Sequence, residues 1–174
     1  MKFSWIVVVL ALVCVSAPVS AQNAMKIGDK GWNELEKTLN DVNQQWLCVG
    51  KYNKPTRQEC VNFRAQLWPD QFFEVSPTGK VQTKADMVAS QSAGAPAADK
   101  LNPKGIPGVG PNPQDFKLMS VYGDIALATD LTIFKTIDAN GNLSVTSQAQ
   151  VLRMFVKENG KWRPAGAVLG STTR

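Results

Sequence analysis

Histidine is missing from all 174 residues of this chain. Its absence removes the side chain whose unperturbed pKa lies nearest neutrality, so any general base has to be a carboxylate. Cysteine is scarce as well, with three copies, and one of these, Cys14, sits in an apolar run near the N-terminus. The two that remain do not assemble a metal site without histidine, and no other cofactor is implied. Long apolar runs are lacking too: residues 6–15 are too few to span a bilayer as a stable helix. Nor is charge of one sign abundant. Nineteen basic residues face fourteen acidic ones, for a formal net charge of +5. The basic residues are scattered from Lys51 to Arg163 rather than gathered on one stripe, which argues against a nucleic-acid interface. No internal repeat is visible.

What is present begins with a secretory signature. Lys2 supplies a positive start, residues 6–15 an apolar stretch, and Val19-Ser20-Ala21 a small-residue cleavage site. Val13, just before Cys14, is bulkier than lipid attachment usually tolerates, so cleavage after Ala21 and export as a soluble protein are expected, to the periplasm or beyond. The mature chain is then 153 of the 174 residues, enough for one domain and its core. Residues 22–30 read as a flexible leader and 31–174 as the domain. In an oxidising compartment Cys48 and Cys60 form a candidate disulfide. One ends a predicted helix and the other lies in the next, with a turn at 50–55 between them. The alternative is two buried thiols.

Apolar residues at Trp32, Leu35, Leu39, Val42 and Trp46 lay one stripe along a first helix. Such a stripe is usually core, although the large amphipathic ring of Trp46 can also wall a pocket. Pro55 followed by Thr56-Arg57-Gln58-Glu59 announces a second helix with a capping box; Cys60, Phe63 and Leu67 share one face of it, and Pro69 stops it. A strand at 71–76 turns at Pro77-Thr78-Gly79-Lys80. Thr83-Lys84-Ala85-Asp86 then opens a short third helix through Met87, Val88 and Ser90.

Between 93 and 114 stand Pro96, Pro103, Pro107, Pro111 and Pro113, half of the chain's ten prolines. Proline removes a donor and fixes φ, so this stretch reads as an irregular insertion, either a lid or a mobile excursion. Strands resume at 116–122. At 125–134 one face carries Ile125, Leu127, Thr129, Leu131 and Ile133, and is expected to meet the helices. The other carries Ala126, Ala128, Asp130, Thr132 and Phe134, and is left for solvent or another subunit. Apolar parity shifts along 143–157, which predicts a bulge near Ala149. Pro164, Gly166 and Gly170 mark the last strand as an edge or a bulged one. Asn140-Gly141-Asn142 and Asn159-Gly160-Lys161-Trp162 supply hairpin turns.

Helix, helix, strand, short helix and a long antiparallel meander form an order that resembles the nuclear transport factor 2-like superfamily. The specific similarity is to its SnoaL-like branch of small bacterial proteins. It is carried by Trp46 late in the first helix and by the run from Leu67-Trp68-Pro69-Asp70 to Pro77-Thr78-Gly79. Thr83-Lys84-Ala85-Asp86-Met87, Val121-Tyr122-Gly123-Asp124-Ile125-Ala126 and Phe155-Val156-Lys157-Glu158-Asn159-Gly160-Lys161-Trp162-Arg163 complete it. The resemblance implies an α+β, cystatin-like cone: a curved antiparallel sheet wrapped around three N-terminal helices, with a pocket inside and a homodimer formed through the outer sheet face. Many related proteins place a histidine in the last strand, where this chain has Ala165-Gly166-Ala167-Val168-Leu169.

Three functional classes follow. The first is an exported domain binding a small apolar or amphipathic molecule in an apolar pocket, with Trp46, Phe72, Tyr122, Asp130 and Arg153 as its candidate lining. The second is an isomerase, cyclase or dehydratase using carboxylate acid–base chemistry. There Asp130 would be the base, Tyr122 the oxyanion donor and Arg153 the binder of an anionic group. Against that stands the plainer reading in which Asp130 and Arg153 pair across strands or face a subunit boundary. The third is an interaction module docking a partner through the sheet face or the proline-rich stretch.

Overall fold

The computed structural model describes residues 24–102, 108–138 and 140–173. The signal segment and its cleavage site lie outside the described residues. Helix α1 (Trp32–Leu47) buries Trp32, Leu39, Trp46 and Leu47, and with them Asn43, which falls in the same stripe. Helix α2 (Arg57–Leu67) is capped by Thr56, whose Oγ1 accepts from the backbone N–H of Glu59 at 3.1 Å. Only this half of the predicted capping box forms, and Glu59 stays exposed. The buried face of α2 holds Cys60, Val61 and Arg64, with Phe63 and Leu67 only half-buried. The expected Cys60, Phe63, Leu67 face is thus rotated towards an arginine.

Strands β1 (Phe73–Val75) and β2 (Val81–Thr83) make a short hairpin. Helix α3 (Lys84–Leu101) then starts on a full capping box: Thr83 Oγ1 accepts from Asp86 N–H, and the Asp86 carboxylate accepts from Thr83 N–H. This helix is 18 residues long and contains Pro96. The irregular insertion expected from residue 93 is therefore corrected: its first part is helix. Proline costs an interior helix one hydrogen bond, but tertiary contacts override propensity here. α3 is held along its length against α2 by Arg64 to Gln91, by Gln58 to Ser92, and by Asp99, which accepts the first backbone N–H of α2 at 2.6 Å.

The stretch 93–114 is also cut short at its far end, because β3 (Gly110–Tyr122) already includes Pro111 and Pro113. β3 is the outermost strand of one six-stranded sheet, ordered β2-β1-β6-β5-β4-β3. Two residues apart, the two prolines turn their donor-less nitrogens to the same side of the strand, and an edge strand has one open side. The long antiparallel meander of β3, β4 (Ile125–Ile137), β5 (Leu143–Glu158) and β6 (Lys161–Thr173) is closed by a parallel pairing of β1 onto β6. The irregularity expected near Ala149 is present on the β6 side, where the pairing steps from Ala149–Thr172 to Val151–Leu169, and on the β4 side a bulge at Thr146 steps the pairing from Phe134–Ser147 to Lys135–Val145. The Thr146 hydroxyl donates to Phe134 O, supplying that carbonyl with a partner. In β6 an extra residue beside Pro164 shifts the register against Met154 and Phe155. The leader is not loose throughout: Met25 N–H donates to Val121 O, a one-residue bridge to β3.

The two faces of β4 are the reverse of the expectation. Ala126, Ala128, Asp130 and Thr132 are buried, whereas Ile125 is exposed and Leu127, Leu131 and Ile133 are only half-covered. Small residues are needed inside because the helices bring large ones. Ala126 and Ala128 pack with Trp32, Leu39, Leu118, Val121 and Phe155 in one core cluster. A second cluster, towards the other end of α1, joins Trp46, Trp68, Phe72, Met87, Ala149, Val151 and Ala167. The outer face of the sheet is left with Ile125, Leu143, Val145, Leu152 and Val168, each at least 40% exposed. Among the described residues no helix is long and apolar enough to cross a membrane.

Candidate functional site

The register of β4 and β5 sets Asp130 opposite Val151 and Ala128 opposite Arg153, so Asp130 and Arg153 are diagonal neighbours on the inner face. They form a buried ion pair. Arg153 Nε donates to Asp130 Oδ2 at 2.7 Å and Nη2 to Oδ1 at 3.3 Å. Thr132 Oγ1 also donates to Oδ1, and accepts from Arg153 Nη2 at 2.9 Å. From α1, Asn43 Nδ2 donates to Asp130 Oδ2 at 3.2 Å. Both carboxylate oxygens are thus filled by donors, two each, and neither is left to take a proton from a substrate. The Arg153 guanidinium lies over the Trp46 ring, 4.6 Å from its centre, a placement in which the ring's π face stabilises the cation.

Beyond Trp46 and Arg153 opens a cavity of about 400 Å³, within the range of roughly 300–1,000 Å³ usual for small-molecule sites. Its apolar walls include Trp46, Leu47, Met87, Val151 and Leu169; Arg57, Arg64, Glu74, Gln91 and Arg153 supply its polar groups. The pocket is therefore not the simply apolar one expected. Cys48 and Cys60 contribute to its wall, and they are disulfide-bonded with Cα atoms 6.0 Å apart, tying the end of α1 to the start of α2.

Arg64 is 3% exposed. Its Nη1 donates to Gln91 Oε1 at 3.0 Å and its Nη2 to the Leu47 carbonyl at 2.8 Å, while its buried Nε has no partner. Burial, with repulsion from Arg57 next, lowers this guanidinium to about 9, so it remains a cation at neutral pH. A buried charge matched only to neutral acceptors is costly. The Glu74 carboxyl is pushed above its ordinary value by burial, against the opposing pull of Arg153 and Arg64. Arg57 is likewise lowered by burial, partly offset by Asp99.

Of the five expected lining residues, Trp46 and Arg153 line the cavity. Asp130 stands behind Arg153. Phe72 is one layer further back, stacked on Trp68 at 4.4 Å and edge-on to Trp46 at 5.4 Å. Tyr122 is 53% exposed at the end of β3, paired with outward-facing Ile125, and does not meet Asp130. The expected grouping of Tyr122 with Asp130 is thereby corrected: they occupy opposite faces of the sheet. Arg64, Glu74 and Asn43 were not foreseen. The signal for two of them was positional, since Arg64 lies four residues after Cys60 and Asn43 four after Leu39, both within buried stripes. No group of three or more Cys, Asp or Glu suited to a metal ion occurs among the described residues.

No family model and no curated protein matches the chain. Solved structures do. A protein of unknown function from Mycobacterium tuberculosis matches with a TM-score of 0.61 and 15% identity, over 86% of this chain and 78% of the other. The association domain of C. elegans CaMKII matches with a TM-score of 0.59 and 12% identity, over 82% of this chain and 100% of the other. A nuclear transport factor 2-like protein with a cystatin-like fold from Novosphingobium aromaticivorans matches at 0.56 and 12%, over 83% and 91%. At such identities the likeness is one of fold. Three helices against a curved, open six-stranded sheet, with the β1–β2 hairpin between the second and third helices, give this chain the nuclear transport factor 2-like, cystatin-like fold.

Proposed function

We propose that this protein is an exported domain that binds one small amphipathic molecule inside the cone, and that it belongs to the SnoaL-like branch suggested by its motif order. One observation carries the binding reading: the cavity of about 400 Å³ combines an aromatic and aliphatic wall with a buried arginine that no carboxylate bonds and whose Nε has no partner. Export rests on the Lys2, 6–15 and Val19-Ser20-Ala21 signature, and the bond between Cys48 and Cys60 suits an oxidising compartment. Pairing of two copies through the outer sheet face is supported by the exposed Ile125, Val145, Leu152 and Val168 there. The enzymatic alternative loses its proposed constellation, because Asp130 is saturated and Tyr122 is on the other face. The alternative of docking through an irregular proline-rich loop is weakened by the helix and strand that occupy most of that stretch.

Native mass spectrometry of the mature protein, gently purified from the compartment it is exported to, tests this reading. The expected result is a dimer carrying a discrete extra mass per chain. Leu169→Trp, which pushes a larger ring from the apolar wall into the cavity, should lose or weaken that mass and stay folded. A wild-type protein that carries nothing, and that no small-molecule library stabilises against heat, would refute it.

A further inference from the structure

The polar groups of the cavity do not balance locally. Arg153 has Asp130 as a bonded counter-ion, and Arg57 has Asp99 close by. Arg64 has neither. Among the described residues no carboxylate forms an ion pair with it; its bonded partners are an amide oxygen and a backbone carbonyl, both neutral, and its Nε–H is buried without a partner. Glu74 faces the same cavity but stands beyond ion-pair distance. The cavity therefore contains a fixed cation whose counter-charge the protein has not supplied in contact. The adjoining wall of Trp46, Met87, Val151 and Leu169 is apolar.

We propose that Arg64 anchors the ligand and that the ligand is a monocarboxylate with an apolar body, its carboxylate at Arg64 and its body against Trp46, Met87, Val151 and Leu169. The inference rests on the small-molecule-binding reading and names its ligand class. A carboxylate is the better match than a phosphate monoester. Its two coplanar oxygens fit the guanidinium fork, and its single charge answers the buried Arg64 cation, which has no bonded counter-ion, without setting a dianion near Glu74 and Asp99. An uncharged alcohol or amide would leave the buried cation as it is.

The experiment is calorimetric titration of the mature protein with octanoate, octanamide and octyl phosphate. Octanoate should bind at least about tenfold more tightly than octanamide, the factor expected of a charge-assisted contact. It should also bind more tightly than octyl phosphate. Arg64→Gln should remove the preference for acid over amide while changing the affinity for octanamide less than about twofold. Leu169→Trp should abolish binding of both, which locates them in the cavity. Equal binding of octanoate and octanamide to the wild type overturns the carboxylate assignment and leaves the cavity reading standing, as does tighter binding of octyl phosphate. If none of the three binds, both readings fall. Should Arg64→Gln fail to fold, the acid-to-amide ratio on the wild type decides by itself.

Discussion

Replacing Asp130 by asparagine tests whether the most polar cluster of the interior serves the fold or a reaction. The substitution keeps the shape of the side chain. It removes the charge, however, and sets an NH2 group where one of four donors now points: Arg153 Nε, Arg153 Nη2, Asn43 Nδ2 or Thr132 Oγ1. Arg153 is 3% exposed and Asp130 fully buried, so the guanidinium left behind has little water to turn to. Breaking a buried pair by removing one partner costs roughly 3–5 kcal/mol. At about 2–4 °C per kcal/mol for a chain of this size, the melting temperature should fall by roughly 6–20 °C. Urea unfolding followed by circular dichroism measures the loss directly, with the slope of the transition unchanged. The double variant Asp130→Leu/Arg153→Met should recover at least half of it, because a buried ion pair exchanged for apolar residues of similar volume is often close to neutral. If Asp130→Asn unfolds within 1 kcal/mol of the wild type, Arg153 has another outlet and the network does not secure the inner face. A base whose only task was chemistry would show the opposite pattern, an intact fold with its activity gone.

Two further outcomes follow from the same cavity. Burial raises the Glu74 carboxyl, so between the ordinary carboxylate range and the raised value the folded chain binds more proton at this site than the unfolded chain. Stability should therefore fall as pH rises from the ordinary carboxylate range through the raised value. Glu74→Gln should be more stable than the wild type at pH 7 and indistinguishable from it below about pH 4; the same difference at both pH values would sink the argument. The double variant Cys48→Ala/Cys60→Ala opens a loop of sequence separation 12 and should lose about 3 kcal/mol in equilibrium unfolding without reductant. A loss under about 1 kcal/mol would mean that the helix pair is held without the bridge.

Much of the fold was legible because its signals are local. The stripe from Trp32 to Trp46, the caps at Thr56 and Thr83, and the turns at Asn140-Gly141 and Asn159-Gly160 each act within a few residues, and each appears where the pattern placed it. The stretch 93–114 departs from its local signal, because proline breaks a helix or strand only where nothing else in the fold holds it. Pro96 is carried by contacts of α3 with α2, and Pro111 and Pro113 by the open side of an edge strand. Neither circumstance is written within ten residues of those prolines.

The inversion of β4 has a different origin, and it bears on the site. Alternation shows that a strand has two unlike faces; choosing the apolar one as the interior assumes that the interior is filled by the strand itself. Here it is filled by Trp32, Leu39, Trp46 and Phe155, so β4 contributes alanines and a polar pair, and the apolar residues are left outside. The rule that apolar residues lie inside runs one way only. The informative departures are buried polar groups, and Asn43, Arg64 and Arg153 are all of that kind. Each sits in a stripe whose neighbours are apolar or small. Asn43 and Arg153 both bond the Asp130 carboxylate, although Asn43 Oδ1 is left without a partner. Arg64 bonds only neutral acceptors, and a buried cation that no carboxylate contacts, at the wall of a cavity, is where a ligand should be sought.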